Sequence, residues 1–301
     1  LAYALAAEQY ESLLGSEVDS PQLKAKLAHC YFQMGNTVKS ETHYASMVSS
    51  DQASSEDVYN YAQSLKENGK YAESDQWMNK FAAMKQNDVR ATEFVNRQNY
   101  LELIEKQGNH FSVKSLTVNT GATDFGGYPS ADQQTVYFVT SRTDRSFVNN
   151  VWTWKNEHFL DLYAGKSSQE QEIANPELIT RRVNSRYHEG PLCFSANGQR
   201  VYFTRNNISK GKKRNDQQGI QNLKLYMADV QPDGSWKNET EFVLNSRDYS
   251  VGHPSLSPDG KYLYFASDMP GGFGGADIYR VAVAADGSFG KPENLGKEIN
   301  T

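Results

Sequence analysis

Ser257-Pro258-Asp259-Gly260-Lys261-Tyr262-Leu263-Tyr264-Phe265 sets a tight turn directly against an alternating strand. Asp-Gly between apolar runs is a strong hairpin signal, because the glycine takes the left-handed backbone that a tight connection requires. The arrangement recurs upstream as Ser195-Ala196-Asn197-Gly198 before Tyr202-Phe203, and more weakly as Ser130-Ala131-Asp132-Gln133 before Tyr137-Phe138. Other marks keep step with it. Leu162-Tyr163, Leu225-Tyr226 and Ile278-Tyr279 each fall in a following strand. An apolar residue before Asn-Thr or Asn-Ser occurs at Val118-Asn119-Thr120, Val183-Asn184-Ser185, Leu244-Asn245-Ser246 and Ile299-Asn300-Thr301, with asparagine spacings of 65, 61 and 55.

These marks divide the second part of the chain into three units, 119–183, 184–244 and 245–301, of four short antiparallel strands each. In the last unit the strands are predicted at 252–257, 262–267, 277–283 and 293–295. A small sheet that is apolar on both faces must stack on copies of itself, and radial stacking gives a β-propeller. Three units fall short of the four that closure commonly takes, so the propeller is expected to be incomplete, with residues 111–118 serving as the outer strand of a further blade.

Upstream of Gly108 the composition changes. Residues 1–108 hold 10 Lys+Arg against 15 Asp+Glu, with one proline and four glycines. Residues 109–301 hold 21 against 21, with eight prolines and 18 glycines. The whole net charge of −5 therefore lies in the first part. That part repeats at 34 residues: Leu27, Ala28, Tyr31, Gly35 and Tyr44 answer to Tyr61, Ala62, Leu65, Gly69 and Met78. A helix–turn–helix of that period resembles the tetratricopeptide family. Ser40 and Ser74 depart from its usual small alanine, and Gln52 and Gln86 from its usual proline. Residues 1–18 match only the second helix of an earlier repeat, so the chain is expected to begin inside a larger protein. Residues 88–107 read as one capping helix.

The predicted fold is thus α + β and multidomain: a tetratricopeptide α-solenoid over 1–108, then part of a β-propeller over 109–301. The 257–265 and 271–279 stretches resemble the TolB-type, WD-repeat-like propellers. The domain order is similar to envelope proteins of the Bacteroidota that add an OmpA-like peptidoglycan-binding domain and a lipid anchor. Among these is the peptidoglycan-associated component of the type IX secretion system, which also serves gliding motility. The resemblance implies a non-enzymatic scaffold on the periplasmic side of the outer membrane, with envelope and secretion-system proteins as partners. Peptidoglycan would be reached only through a C-terminal domain outside these residues. Two alternatives stand beside it: the gating propeller of a prolyl-oligopeptidase-like hydrolase, and a glycan-binding module using Trp152, Trp154 or Trp236.

Chemistry-bearing patterns are sparse. The six histidines form no HExxH-like spacing, the two cysteines are 163 positions apart, and no GxSxG occurs, so no catalytic, cofactor or metal residue is assigned. Gly271–Gly275 joins two strands and lacks the Gly-Lys-Ser/Thr of a phosphate loop. No apolar run reaches the ~18 residues of a membrane span, and the acidic balance excludes a dedicated nucleic-acid binder. The partner-binding candidates are His188 and Glu189, His253, and the basic cluster Lys210, Lys212, Lys213 and Arg214. The first three are expected near the central channel mouth of the propeller.

Overall fold

The computed structural model describes residues 2–16, 20–49, 52–97, 100–108, 110–142, 151–168, 172–179, 183–209 and 212–300. The chain divides into two compact units, residues 1–114 with 151–157, and 115–150 with 158–301. Residues 151–157, which lie within the 119–183 unit of the sequence repeat, therefore fall with the helices.

The first unit contains α1 (Tyr3–Gly15), α2 (Pro21–Gln33), α3 (Thr37–Val48), α4 (Ser55–Glu67), α5 (Tyr71–Met84), α6 (Val89–Asn96) and α7 (Tyr100–Gln107). From α1 to α6 each helix packs against the next. Starts are capped by side chains that accept otherwise orphaned N–H groups: Ser20 from Leu23, Asn36 from Lys39, and Ser54 with Asp57 in a reciprocal box. The repeated glycines end α2 and α4 in the same way. Gly35 and Gly69 take φ of 73° and 78°. The next amide reaches back five residues, Asn36 N to Tyr31 O and Lys70 N to Leu65 O, both at 2.9 Å. The predicted single helix over 88–107 is instead α6 and α7, because α6 closes at Arg97, whose amide bonds Phe94 O.

Leu27, Ala28, Tyr31, Tyr44, Ala62, Leu65 and Phe81 are all buried. The serines that stand in place of alanine are buried too, and their hydroxyls are satisfied. Ser40 Oγ meets Ser64 Oγ at 2.9 Å, and Ser74 Oγ donates to Ala62 O at 2.8 Å. The 151–157 hairpin carries β3 (Val151–Trp152) and opens β4 (Glu157–His158). Its Trp154 Nε1 donates to Gln33 O at 2.7 Å, satisfying a carbonyl at the end of α2, and its ring meets Tyr3 edge-on at 4.8 Å.

The second unit holds three four-stranded antiparallel sheets, each built from consecutive segments. They comprise β1 (Asp124–Pro129), β2 (Thr135–Thr140), β5 (Asp161–Ser167) and β6 (Ile173–Leu178); β7 (Glu189–Phe194), β8 (Arg200–Asn206), β11 (Leu223–Val230) and β12 (Trp236–Glu241); and β13 (Val251–Leu256), β14 (Tyr262–Ser267), β15 (Asp277–Ala282) and β16 (Glu293–Asn294). A small hairpin, β9 (Ile208–Ser209) with β10 (Lys212–Lys213), branches off the second sheet. Each first strand carries a β-bulge near its start, between Phe125 and Tyr128, Glu189 and Leu192, and Gly252 and Ser255. Residues 111–118, expected as an outer strand, form no strand, and Phe111 and Val113 are exposed. A strand needs a ladder partner, and none of the described strands pairs with them.

The sheets pack in chain order through two apolar layers. Val139, Leu162, Leu192, Phe203 and Trp236 fill the first, and Tyr202, Leu225, Phe242, Leu263 and Phe265 the second. Strand β8 feeds both, as alternation along a buried strand requires. Close approach depends on glycine: a Cβ on Gly190 or on Gly252 would come within 2.8 Å of the Thr204 side chain, which lies between them. Thr204 Oγ1 also accepts from His253 N at 2.8 Å.

Candidate functional site

The first strands of the three sheets start with residues in matching register. Asp124 pairs with Thr140, Glu189 with Arg205, and Val251 with Ser267. The two carboxylates among these three starts are shifted in opposite directions. Asp124 is desolvated, yet it is held below the usual carboxylate range by Thr140, by Arg142 at 2.8 Å and by the amide and hydroxyl of Thr120. Glu189 is fully buried, and Arg205 Nε lies 3.5 Å away. Arg205 is committed elsewhere, in a bidentate pair with Glu239 at 2.8 and 3.0 Å and to Val183 O at 3.0 Å. Burial accordingly pushes the Glu189 carboxyl up to about 8, with Ser185 and Arg205 opposing only in part. Val251 carries no charge to satisfy.

His188 adjoins this group. Its Nδ1 accepts from Leu160 N at 3.2 Å, its amide donates to Asn206 Oδ1 at 2.9 Å, and its ring lies 4.7 Å from Phe159. Burial pulls its imidazole down to about 4. Burial thus favours the neutral form of both side chains. Their bonds run to strand backbone: Glu189 N also donates to Leu160 O at 2.9 Å. The pair fixes the start of β7 against the chain that enters β5, and Glu189 presents no surface to a partner.

The basic cluster divides. Lys210 lies outside the described residues. Lys212 and Lys213 are exposed on β10, and Lys213 Nζ stands 4.8 Å over the Tyr187 ring, one residue from His188. Arg214 is exposed, and its amide donates to Asn207 O at 3.0 Å. His253 is exposed and sits on the third-sheet bulge with φ of 55°, a left-handed conformation that a non-glycine side chain seldom adopts. The structure thus brings Lys213 to the His188 end of the second sheet, while His253 marks the bulge of the next.

A cavity that sequence reasoning left unassigned lies in the helical unit. It is an open groove of about 530 Å³ between Tyr3, Ala6 and Tyr10 of α1, Ala25, His29 and Cys30 of α2, and Glu56, Asp57 and Asn60 of α4. Alanines and aromatic rings line its α1 side, Lys26 and His29 stand on α2, and the acidic α4 end is tempered. Arg90 binds Glu56 at 2.6 Å and holds that carboxyl below its usual range. The helical period could place these residues in one frame, but not say that the space between them is open. Among the described residues no three His, Cys, Asp or Glu side chains converge as a metal ion would require. Among them, too, no helix is long and apolar enough to cross a membrane.

No family model and no curated protein matches the sequence. Among solved structures, a puromycin hydrolase S511A mutant complexed with PGG shares 13% identity at a TM-score of 0.36, over 60% of this chain and 24% of that one. A putative 6-phosphogluconolactonase from Bacteroides uniformis shares 14% at 0.31, over 62% and 43%. An alpha-L-arabinofuranosidase from Lactobacillus brevis shares 16% at 0.37, over 57% and 52%. The chain spans about a quarter to a half of the length of these proteins. Likenesses of this score fix neither fold nor activity.

Proposed function

We propose that the helical unit is a tetratricopeptide-type solenoid, that the three sheets are blades of a β-propeller, and that the protein is a non-enzymatic interaction scaffold of the bacterial cell envelope. Two matching left-handed helix ends 34 residues apart, at Gly35 and Gly69, support the solenoid. Three consecutive four-stranded sheets with a shared bulge support the blades. The observation that carries the functional reading is the cavity between α1, α2 and α4, whose α1 side of alanines and aromatic rings suits an extended segment of another protein. On this reading the scaffold stands on the periplasmic side of the outer membrane. It joins secretion and gliding machinery to peptidoglycan through domains outside residues 1–301.

The test uses the immobilised chain with an envelope extract, beside Tyr10→Ala and His29→Ala, one from each wall of the cavity. Discrete partners captured by the unaltered chain and lost from both variants, with circular dichroism unchanged, are expected. Equal capture by all three proteins would remove the cavity from the function.

A further inference from the structure

The Asn-Ser/Thr pairs do two jobs. Asn184, Asn245 and Asn300 each bind one residue of the third strand of the sheet that precedes them, through both backbone groups. Asn184 accepts from Leu162 N at 2.7 Å and donates to Leu162 O at 3.0 Å. Asn245 does so with Leu225 at 3.0 and 2.8 Å, and Asn300 with Ile278 at 2.8 and 3.1 Å. A carboxamide offers an acceptor and a donor side by side, as a peptide group does, so each asparagine stands in for a neighbouring strand. The clamped residue is in every case the aliphatic member of an aliphatic-Tyr pair. The hydroxyl residue that follows fixes the turn into the next sheet. Ser185 Oγ accepts from Tyr187 N, Ser246 Oγ from Asp248 N, and Thr120 Oγ1 from Ala122 N, each at 3.1 Å.

Asn119-Thr120 therefore has the second job in place. The approach to the first is also formed. Asn119 N bonds Leu116 O at 3.1 Å, just as Asn245 N bonds Phe242 O at 3.0 Å. In the second sheet Phe242 N then donates to the clamped Leu225 O at 3.0 Å, and Leu116 holds the position of Phe242. Thr117 ties this turn to the first sheet, its amide and hydroxyl both 2.8 Å from Glu172 Oε2. Yet Asn119 is exposed, whereas Asn184 and Asn300 are buried, and its carboxamide bonds none of the described residues.

We propose that Leu116–Asn119 is a strand clamp, and that its occupant is the third strand of a further four-stranded sheet of this same repeat, gripped at the aliphatic residue of its aliphatic-Tyr pair. A second copy of residues 1–301 does not qualify, because Asn184, Asn245 and Asn300 already hold its three such strands. Recognition is by backbone hydrogen bonds, as in strand addition to a sheet edge.

The probe is a capped peptide with the sequence of Asp277–Ala282, titrated to millimolar concentration into the isotope-labelled 301-residue chain. Asn119→Ala identifies the Asn119 side-chain amide signal and, because the residue is exposed, leaves the fold intact. Saturable shifts of that amide and of the Leu116 backbone amide are expected. Methylating the peptide nitrogen that corresponds to Ile278 N removes the donor that Asn119 Oδ1 would accept, and weakens binding roughly tenfold. Asn119→Ala weakens it by a similar factor. Absence of shifts at Leu116 and Asn119, shifts confined to other positions, or binding indifferent to both changes overturns the proposal.

Discussion

One register position, occupied by Asp124, Glu189 and Val251 in successive sheets, shows how partners rather than residue type decide a titration. Glu189, raised to about 8 from 4.5, favours the folded state at low pH and withdraws that stability as pH rises between those values. His188, lowered to about 4 from 6.5, acts in the opposite sense, its stability being lost as pH falls from 6.5 toward 4. The two oppose each other between pH 4.5 and 6.5, and above 6.5 only Glu189 of the pair still titrates. Stability measured by urea unfolding is therefore expected to fall from pH 6.5 to 8, and Glu189→Gln to flatten that limb. A limb unchanged in the variant would mean that Glu189 is ionised and paired in the fold. The sequence displayed His188 and Glu189 as neighbours but not their burial, because burial is decided by β5 and β8, distant in the chain. The asparagines were likewise legible as periodic marks. Their work as clamps was not, since it lies in contacts 20 to 22 residues away.

At the scale of elements, turns and sheet contacts make separable predictions. Gly252 and Gly190 sit against Thr204, so a methyl at either position must displace it. Gly252→Ala is expected to destabilise by about 1–3 kcal/mol, the usual cost of overpacking. Thr204→Ser removes the obstructing methyl and keeps the hydroxyl that His253 N uses, so it should recover part of that loss in the double variant. Strictly additive effects in chemical denaturation would show that Thr204 is not the obstacle. The hairpin turns share their opening serine and diverge in residue type at the fourth position, where all three take a left-handed backbone. Gly198 and Gly260 take φ of 68° and 71°, while Gln133 takes 57° at the matching place. Gln133→Gly should stabilise by up to about 1 kcal/mol, and Gly260→Ala should destabilise by a like amount. A decrease on Gln133→Gly would mean that the side chain is worth more than the strain. Strand positions in the sheet units were readable because Asp-Gly and Asn-Gly turns and period-2 alternation are local signals. The break between α6 and α7 was missed because no glycine or proline marks it, and the 151–157 hairpin because Trp154 bonds a carbonyl 121 residues away.

For the whole molecule, the repeat periods separated helices from sheets, while open space between helices is not a property of sequence. All of the net charge of −5 lies in residues 1–108, and residues 109–301 balance at 21 against 21. A partner that docks in the helical unit is therefore expected to be basic, and its capture to weaken as salt rises and screens the attraction. The most direct measurement is site-specific photo-crosslinking in envelope extract from the full chain, with the photoreactive residue at Tyr10 in the cavity or at exposed Phe273 in the third-sheet loop. The account predicts a discrete crosslinked partner from position 10, reduced at physiological salt relative to low salt, and none from position 273. Crosslinks from position 273 alone, with none from position 10, would contradict it.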